Sequence, residues 1–143
     1  MDPISAIGLV ASLANLMAAS NEVIDLIRSF KDGEKEILAL YGSVSLFEEN
    51  LKGYDRVLRS GKVTHGFSAE TIDTAIRESK DLMKETADRL RSINKCENST
   101  VRRLKWAHHK STFEKIARDL KGRCTMLHSL VSVTQMYTNQ PAS

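Results

Sequence analysis

Hydrophobic residues recur at spacings of three and four along most of the chain, which is the period of helices with one buried face. The pattern predicts helices over residues 3–30, 34–60 and 68–95, the third capped by Ser68. A last helical segment is predicted to begin at a cap, Ser99 or Thr100, and its apolar residues recur as far as Thr134. Ser111 or Thr112 is an alternative start within the last segment, and a start there would leave one short extra helix before it. No segment alternates between polar and apolar residues for long enough to predict a strand.

Each predicted helix carries an apolar stripe that is expected to face a common core. The inward residues predicted in the first two helices are Leu9, Leu13, Leu16, Met17, Ile24 and Ile27, then Ile37, Leu40, Tyr41, Val44, Phe47, Leu51, Tyr54 and Leu58. Those predicted in the last two are Ile72, Ile76, Leu82, Met83, Leu90 and Ile93, then Phe113, Ile116, Ala117, Leu120, Cys124, Leu127, Val131 and Thr134. These stripes and the short connections predict an all-α fold, an antiparallel four-helix bundle in one domain over residues 1–138, with a polar tail at 139–143.

The first helix differs from the others because residues 3–21 contain no charged side chain. Two uses of this segment stay open: a buried helix of the bundle, or an arm that leaves the bundle and enters a membrane. Its length approaches the roughly 20 apolar residues of a spanning helix, but its polar residues make a permanent anchor marginal. A face of small or polar residues would let a second helix approach closely; it comprises Ser5, Gly8, Ser12, Asn15 and Ala19. A secretory signal is not predicted, because Asp2 follows Met1 and the first basic residue is Arg28.

The composition is that of one ordinary soluble domain, but the charge is unevenly distributed. Of 143 residues, 41% are hydrophobic and 27% are charged, and two are cysteines, which favours a reduced intracellular setting over a disulfide framework. Basic residues gather in one region: Lys95, Arg102, Arg103, Lys105, Lys110, Lys115, Arg118, Lys121 and Arg123. This region is either a solvated helix face paired with acidic neighbours or a contact for an anionic partner. Nucleic acid is not predicted, because no binding module is recognisable.

The sequence contains no recognisable catalytic or metal-binding constellation, so it predicts neither an enzyme nor a cofactor. His108 and His109 are adjacent, and their rings therefore point to different sides of a helix. The single tryptophan, Trp106, either closes one end of the bundle or anchors the protein at a membrane interface. A short amphipathic stretch accompanies it, made of Val101, Leu104 and Ala107.

Two motifs resemble one protein family over nearly the whole chain. The first is the opening, Met1-Asp2-Pro3-Ile4-Ser5-Ala6-Ile7-Gly8-Leu9-Val10-Ala11-Ser12, and the second is Leu104-Lys105-Trp106-Ala107-x-x-Lys110 followed by a long helix. Together they resemble the HeLo-like N-terminal domains of fungal NOD-like receptors, which precede a nucleotide-binding oligomerisation module and repeats such as ankyrin. The resemblance implies a helical bundle that acts as the effector domain of an immune-type receptor, with the C-terminal receptor module outside this chain.

The activity implied by the resemblance is regulated cell death through oligomerisation and membrane targeting. It implies a cytoplasmic protein that moves to the plasma membrane on activation, with anionic lipids and further copies of itself as partners. The membrane-inserting helix would include Ile4, Ile7, Gly8, Leu9, Ser12, Leu13, Leu16 and Met17. The expected contacts with anionic lipid or a partner are Arg102, Arg103, Lys105, Trp106 and Lys110. The alternative function is an interaction module that self-associates or recruits another helical domain, without a lipid role.

Overall fold

The computed structural model describes residues 3–30, 35–60 and 69–138, with side chains at 7–30, 35, 37–60 and 69–130. These residues form four helices: α1 (Pro3–Arg28), α2 (Lys35–Arg59), α3 (Ala69–Asn94) and α4 (Ser99–Thr138). Consecutive helices alternate in direction around one apolar core, so the predicted all-α four-helix bundle is confirmed. Some predictions lie outside the described residues: those for Ser68, for the tail at 139–143 and for the side chains of Ile4, Val131 and Thr134.

Helices that follow one another in the chain are not all neighbours in space. Helix α1 packs on α2 and α3, and α4 also packs on α2 and α3. Among the described residues α1 makes no contact with α4, and α2 makes none with α3, so each of these pairs occupies opposite corners of the bundle. The two largest interfaces, α1 on α3 and α2 on α4, join parallel helices. Parallel packing is evident where Ser12 meets Asp73 and Ser29 meets Asn94.

The core consists of the predicted stripes. Every described side chain predicted to face inward is buried, except four that are half-buried: Met17, Tyr41, Leu82 and Ala117. Val23, Ala87 and Leu130 are also buried, although no stripe predicted them. Tyr54 is the largest fully buried side chain, and its burial raises the pKa of the phenol. The core therefore extends along the whole described length of the bundle.

Helix α4 is one continuous helix of 40 residues, so the alternative start at Ser111 or Thr112 is wrong. Residues 99–121 contain neither proline nor glycine, and nothing in the backbone forces a break. The start of α4 also differs from the predicted Ser99 or Thr100 cap. The Asn98 side-chain oxygen accepts hydrogen bonds from the backbone amides of Thr100 and Val101 at 2.9 and 3.4 Å. Asn98 is therefore the N-cap.

Candidate functional site

The inner face of α1 lies in the core. Leu9, Leu13 and Leu16 are buried, and Met17 is half-buried beside them. Each of these leucines gains about 1.5–3 kcal/mol by leaving water. In this conformation the leucines of the predicted membrane-inserting set are therefore core residues, and α1 is packed within the bundle.

The outer face of α1 is exposed but uncharged over its first turns. Ile7 is 70% exposed, and Ala11, Ala14 and Ala18 are also exposed. Exposed faces of helices in soluble proteins ordinarily carry polar and charged residues. Within the described residues, Ile7–Arg28 is the one segment whose length and hydropathy would suit a membrane span, a criterion that core helices of soluble proteins can also meet.

Polar contacts attach α1 to α3 at two levels. Near its start, the Ser12 hydroxyl donates a hydrogen bond to Asp73 Oδ1 at 2.8 Å, and the same carboxylate pairs with Arg77 at 2.9 Å. Further along, Glu22 pairs with Arg91. Among the described side chains of residues 7–19, Ser12 makes the one hydrogen bond to another helix. The uncharged part of α1 is therefore held mostly by apolar packing.

The small face of α1 turns towards α3, but the bundle does not use all of it. Ser12 contacts α3 and Ala19 packs against the core, whereas Asn15 is exposed. A Cβ atom built on Gly8 meets no atom within 4 Å. A helical glycine weakens its helix by about 0.5–1 kcal/mol relative to alanine. Packing within the bundle gives no reason for that loss at Gly8.

Two of the predicted contact residues on α4 are used inside the bundle. Arg102 donates hydrogen bonds to the carbonyl oxygens of Cys96 and Glu97 at 2.8 Å. Lys105 Nζ donates to the Ser92 carbonyl at 3.4 Å. Both cations lie at the carbonyl end of α3, where the helix dipole favours positive charge. Arg102 and Lys105 therefore brace the turn between α3 and α4.

Most of the other cations of α4 are exposed, whereas Arg123 is half-buried and donates hydrogen bonds to Ser79 and Ala75 of α3. Arg103 and Lys110, both in the predicted contact set, are exposed, and so are Lys115, Arg118 and Lys121. An anionic partner that approaches α4 meets this exposed group before it meets Arg102 or Lys105. The prediction centred on the start of α4, whereas the exposed cations continue along the helix.

Trp106 is 4% exposed and belongs to the core at one end of the bundle. Its ring stacks on Phe113 with centroids 4.8 Å apart and meets Phe30 edge-on at 5.7 Å. The structure thus favours the alternative in which Trp106 closes one end of the bundle. In this conformation Trp106 is not a surface contact, which corrects that expectation. The stretch beside it turns outward instead, since Leu104 is 66% exposed.

The two adjacent histidines have different surroundings. His108 is exposed, whereas His109 is half-buried with Nδ1 2.9 Å from Arg89 Nη1. Because arginine only donates, this ring nitrogen is the acceptor. Burial and the charge of Arg89 lower the pKa of His109. No group of three His, Cys, Asp or Glu side chains that could hold a metal ion occurs in the described part of the chain.

One surface was not predicted from the sequence, a groove between α2 and α4. Its floor includes Ala39, Gly42 and Ala117. The available signal was the run of small residues on α2 beside the apolar stripe. Such a run predicts a groove only when the neighbouring helix is known, and the apolar stripe alone does not identify α4 as that neighbour.

Comparison with known proteins assigns no relative to this bundle. No protein-family model, curated protein or solved structure matches the chain.

Proposed function

We propose that this bundle is the N-terminal effector or signalling domain of a fungal receptor of the NOD-like kind. It induces regulated cell death through oligomerisation and membrane targeting by α1. In the resting cytoplasmic state α1 is packed against α2 and α3. Clustering by a C-terminal receptor module releases the uncharged part of α1 to the plasma membrane, while the exposed cations of α4 hold the bundle on anionic lipid. The proposal includes no catalytic step.

The observation that carries the proposal is the lack of charge on both faces of early α1. A soluble bundle requires apolar residues only on the inner face, at positions such as Leu13 and Leu16. The outer positions Ala11, Ala14 and Ala18 are exposed and could carry charge without entering the core. Charged residues inside a bilayer are expensive. A helix without them can exchange a protein core for lipid.

The apolar contribution to this exchange is close to balanced. Leu9, Leu13 and Leu16 gain about 1.5–3 kcal/mol each on leaving water, whether they enter a protein core or a bilayer. The exchange therefore depends on smaller terms, such as the Ser12–Asp73 hydrogen bond and contacts between clustered copies. A modest change in these terms shifts the populations of the packed and released states.

The decisive experiment places a charge on the outer face of α1, where it leaves the core intact. Ala14→Asp puts a carboxylate in the middle of the proposed inserting segment, and insertion scales assign about 2.5–3.5 kcal/mol to such a charge. The full chain is fused at its C-terminus to a trimeric coiled coil and mixed with dye-filled vesicles containing phosphatidylserine. We expect Ala14→Asp to reduce leakage by roughly two orders of magnitude, with the thermal unfolding midpoint nearly unchanged.

The matched control is Ala14→Leu, which changes the same exposed position but adds no charge. We expect this variant to retain both stability and leakage. Leakage by Ala14→Asp equal to that of the unmodified protein would refute insertion of α1. If the clustered, folded protein neither binds nor permeabilises anionic vesicles, the membrane proposal as a whole fails.

A second candidate function, an interaction module without a lipid role, is favoured by a different observation. Leu46 on α2 lines the groove between α2 and α4 and is largely exposed, and Leu38 on the same helix is largely exposed as well. Neither residue belongs to α1 or to the basic start of α4. The two functions are separable, because variants of α1 leave this groove intact.

A further inference from the structure

A shallow apolar groove runs between α2 and α4 on the outside of the bundle. Two cavities of about 270 and 420 Å³ lie along it and share Ala39 and Ala117 in their walls, so they form one continuous depression. Leu46 lines the groove and is 56% exposed. A concave surface with an exposed apolar side chain in its lining is typical of a protein interaction site.

Small residues make this α2–α4 groove concave. Ala39, Gly42 and Ser43 form its α2 wall, and Ala117 faces them from α4. Gly42 is not required for packing within the chain, because a Cβ atom built on it meets no atom within 4 Å. Glycine inside a helix lowers helix stability. A small residue that the bundle does not need suits the close approach of a second backbone.

The rim of the α2–α4 groove is basic. Lys35 lines it from α2, and Lys110, Arg118 and Lys121 line it from α4, with Glu114 among them. All of these side chains are exposed. Complementary charge steers association and suppresses wrong partners. The rim therefore favours a partner with acidic residues along the edges of an apolar stripe.

We propose that the α2–α4 groove binds one amphipathic helix of a partner protein, with large apolar side chains in the groove and acidic residues flanking them. A concave groove with a floor of small residues fits the convex ridge of a helix. A bilayer would instead require a convex patch. A second copy of this chain fits less well, because the exposed apolar face of α1 offers mainly alanine and the outer face of α3 is charged. This docking goes beyond the proposed function, since it requires no release of α1.

The probe is a synthetic helix of about 18 residues, which is about 27 Å long and spans the groove. It carries leucine along one face and glutamate on both flanks, and a matched peptide carries lysine in place of each glutamate. Binding to the full chain is measured by fluorescence anisotropy and by amide chemical shifts. We expect saturable binding of the acidic peptide, about tenfold or more tighter than that of the basic one. The largest shifts are expected at Ala39, Gly42 and Ala117.

Two pairs of variants separate the groove from general effects. Gly42→Leu fills the groove, whereas Gly53→Leu adds the same side chain on the same helix at a position that is also open. We expect about a tenfold or greater loss of affinity for Gly42→Leu and no loss for Gly53→Leu. Lys121→Glu should also weaken binding, whereas Lys84→Glu, which reverses an exposed lysine on α3, should leave it unchanged.

The absence of saturable binding by the acidic peptide, or an equal loss in Gly42→Leu and Gly53→Leu, would overturn the inference. If Gly42→Leu dissociates a dimer detected by light scattering, the occupant is a second copy of the chain and the assignment is also overturned. The same holds if Gly42→Leu abolishes binding to phosphatidylserine vesicles while the peptide fails to bind. If Ala14→Asp causes as much leakage as the unmodified protein, that result refutes only the membrane proposal.

Discussion

Helices α1 and α3 are matched in length and position but differ in their outer faces. Each has 26 residues, the two pack side by side in parallel, and each contributes an apolar stripe to the core. Helix α3 exposes mainly charged residues, namely Glu70, Arg77, Glu78, Asp81, Lys84, Glu85 and Asp88. The early part of α1 exposes uncharged residues, namely Ile7, Gly8, Ala11, Ala14, Asn15 and Ala18.

The comparison separates what the bundle requires from what it does not. Folding and solubility account for α3, because its residues are mostly apolar where they are buried and mostly charged where they are exposed. The same two requirements do not account for α1, whose outer face could carry charge at positions such as Ala11 and Ala14. The difference is the physical basis for proposing a second environment for α1.

The largest expected effect tests whether the two helices contribute equally to the core. Leu13 and Leu90 are both fully buried, and truncation of such a leucine to alanine costs about 2–5 kcal/mol. We expect Leu13→Ala and Leu90→Ala to lower the free energy of unfolding by similar amounts in urea denaturation. A much smaller loss for Leu13→Ala would contradict a bundle in which α1 is a full core helix.

A smaller effect concerns the polar attachment of early α1 to α3. Ser12→Ala removes the donor to Asp73, which keeps its ion pair with Arg77. A hydrogen bond of this kind contributes about 0.5–1.5 kcal/mol. We expect amide hydrogen exchange to accelerate at residues 7–19 but not in α3. Ser111→Ala, at an exposed serine of α4, is the control. Unchanged exchange in α1 would show that Ser12 does not hold the helix.

Gly8→Ala should act in the opposite direction. A methyl group at this position meets open space, and alanine is favoured over glycine in a helix by about 0.5–1 kcal/mol. We expect a small rise in the free energy of unfolding, matched by Gly53→Ala on α2. A loss of stability for Gly8→Ala but not for Gly53→Ala would mean that another helix approaches Gly8 more closely than the structure shows.

The smallest expected effect is a dependence of stability on pH. Early α1 has no titratable side chain, whereas Arg89 of α3 contacts His109 of α4. Burial and the charge of Arg89 lower the pKa of His109, so the unfolded chain binds more protons as the pH falls through about 6.5. The stabilising contribution is present above that pH and is lost as the pH falls towards the folded-state pKa. We expect a small drop in the thermal midpoint, which His109→Gln removes and His108→Gln preserves. A drop that persists in His109→Gln would assign it to other groups.

The helices and their inward stripes were predictable because burial imposes a period on the sequence. Leu13 and Phe47 would be buried in any arrangement of these four helices. The pairing of the helices was not predictable, because a stripe does not specify which helix covers it. Tyr41 illustrates the difference: it is half-buried because it borders α1, where Arg28 donates a hydrogen bond to its hydroxyl at 3.2 Å.

The candidate site was predictable only in part. The lack of charge in early α1 was visible in the sequence, but its division into an inner and an outer face required the position of α3. The orientation of Trp106 depends on Phe30, which is distant in the chain and follows the end of α1. The α2–α4 groove results from small side chains on two helices, and the sequence does not show that these two helices are neighbours.

If the proposed membrane function holds, the opposite-corner arrangement of α1 and α4 imposes an order of events. Neighbouring helix axes lie about 8–10 Å apart, so opposite corners of a bundle are separated by about 11–14 Å. A bundle that rests on a flat anionic surface through α4 therefore holds α1 on its far side, with α2 and α3 between. Attachment alone delivers no apolar helix to the surface. Under the proposed membrane function, adhesion and penetration are therefore successive steps, with an opening of the bundle between them.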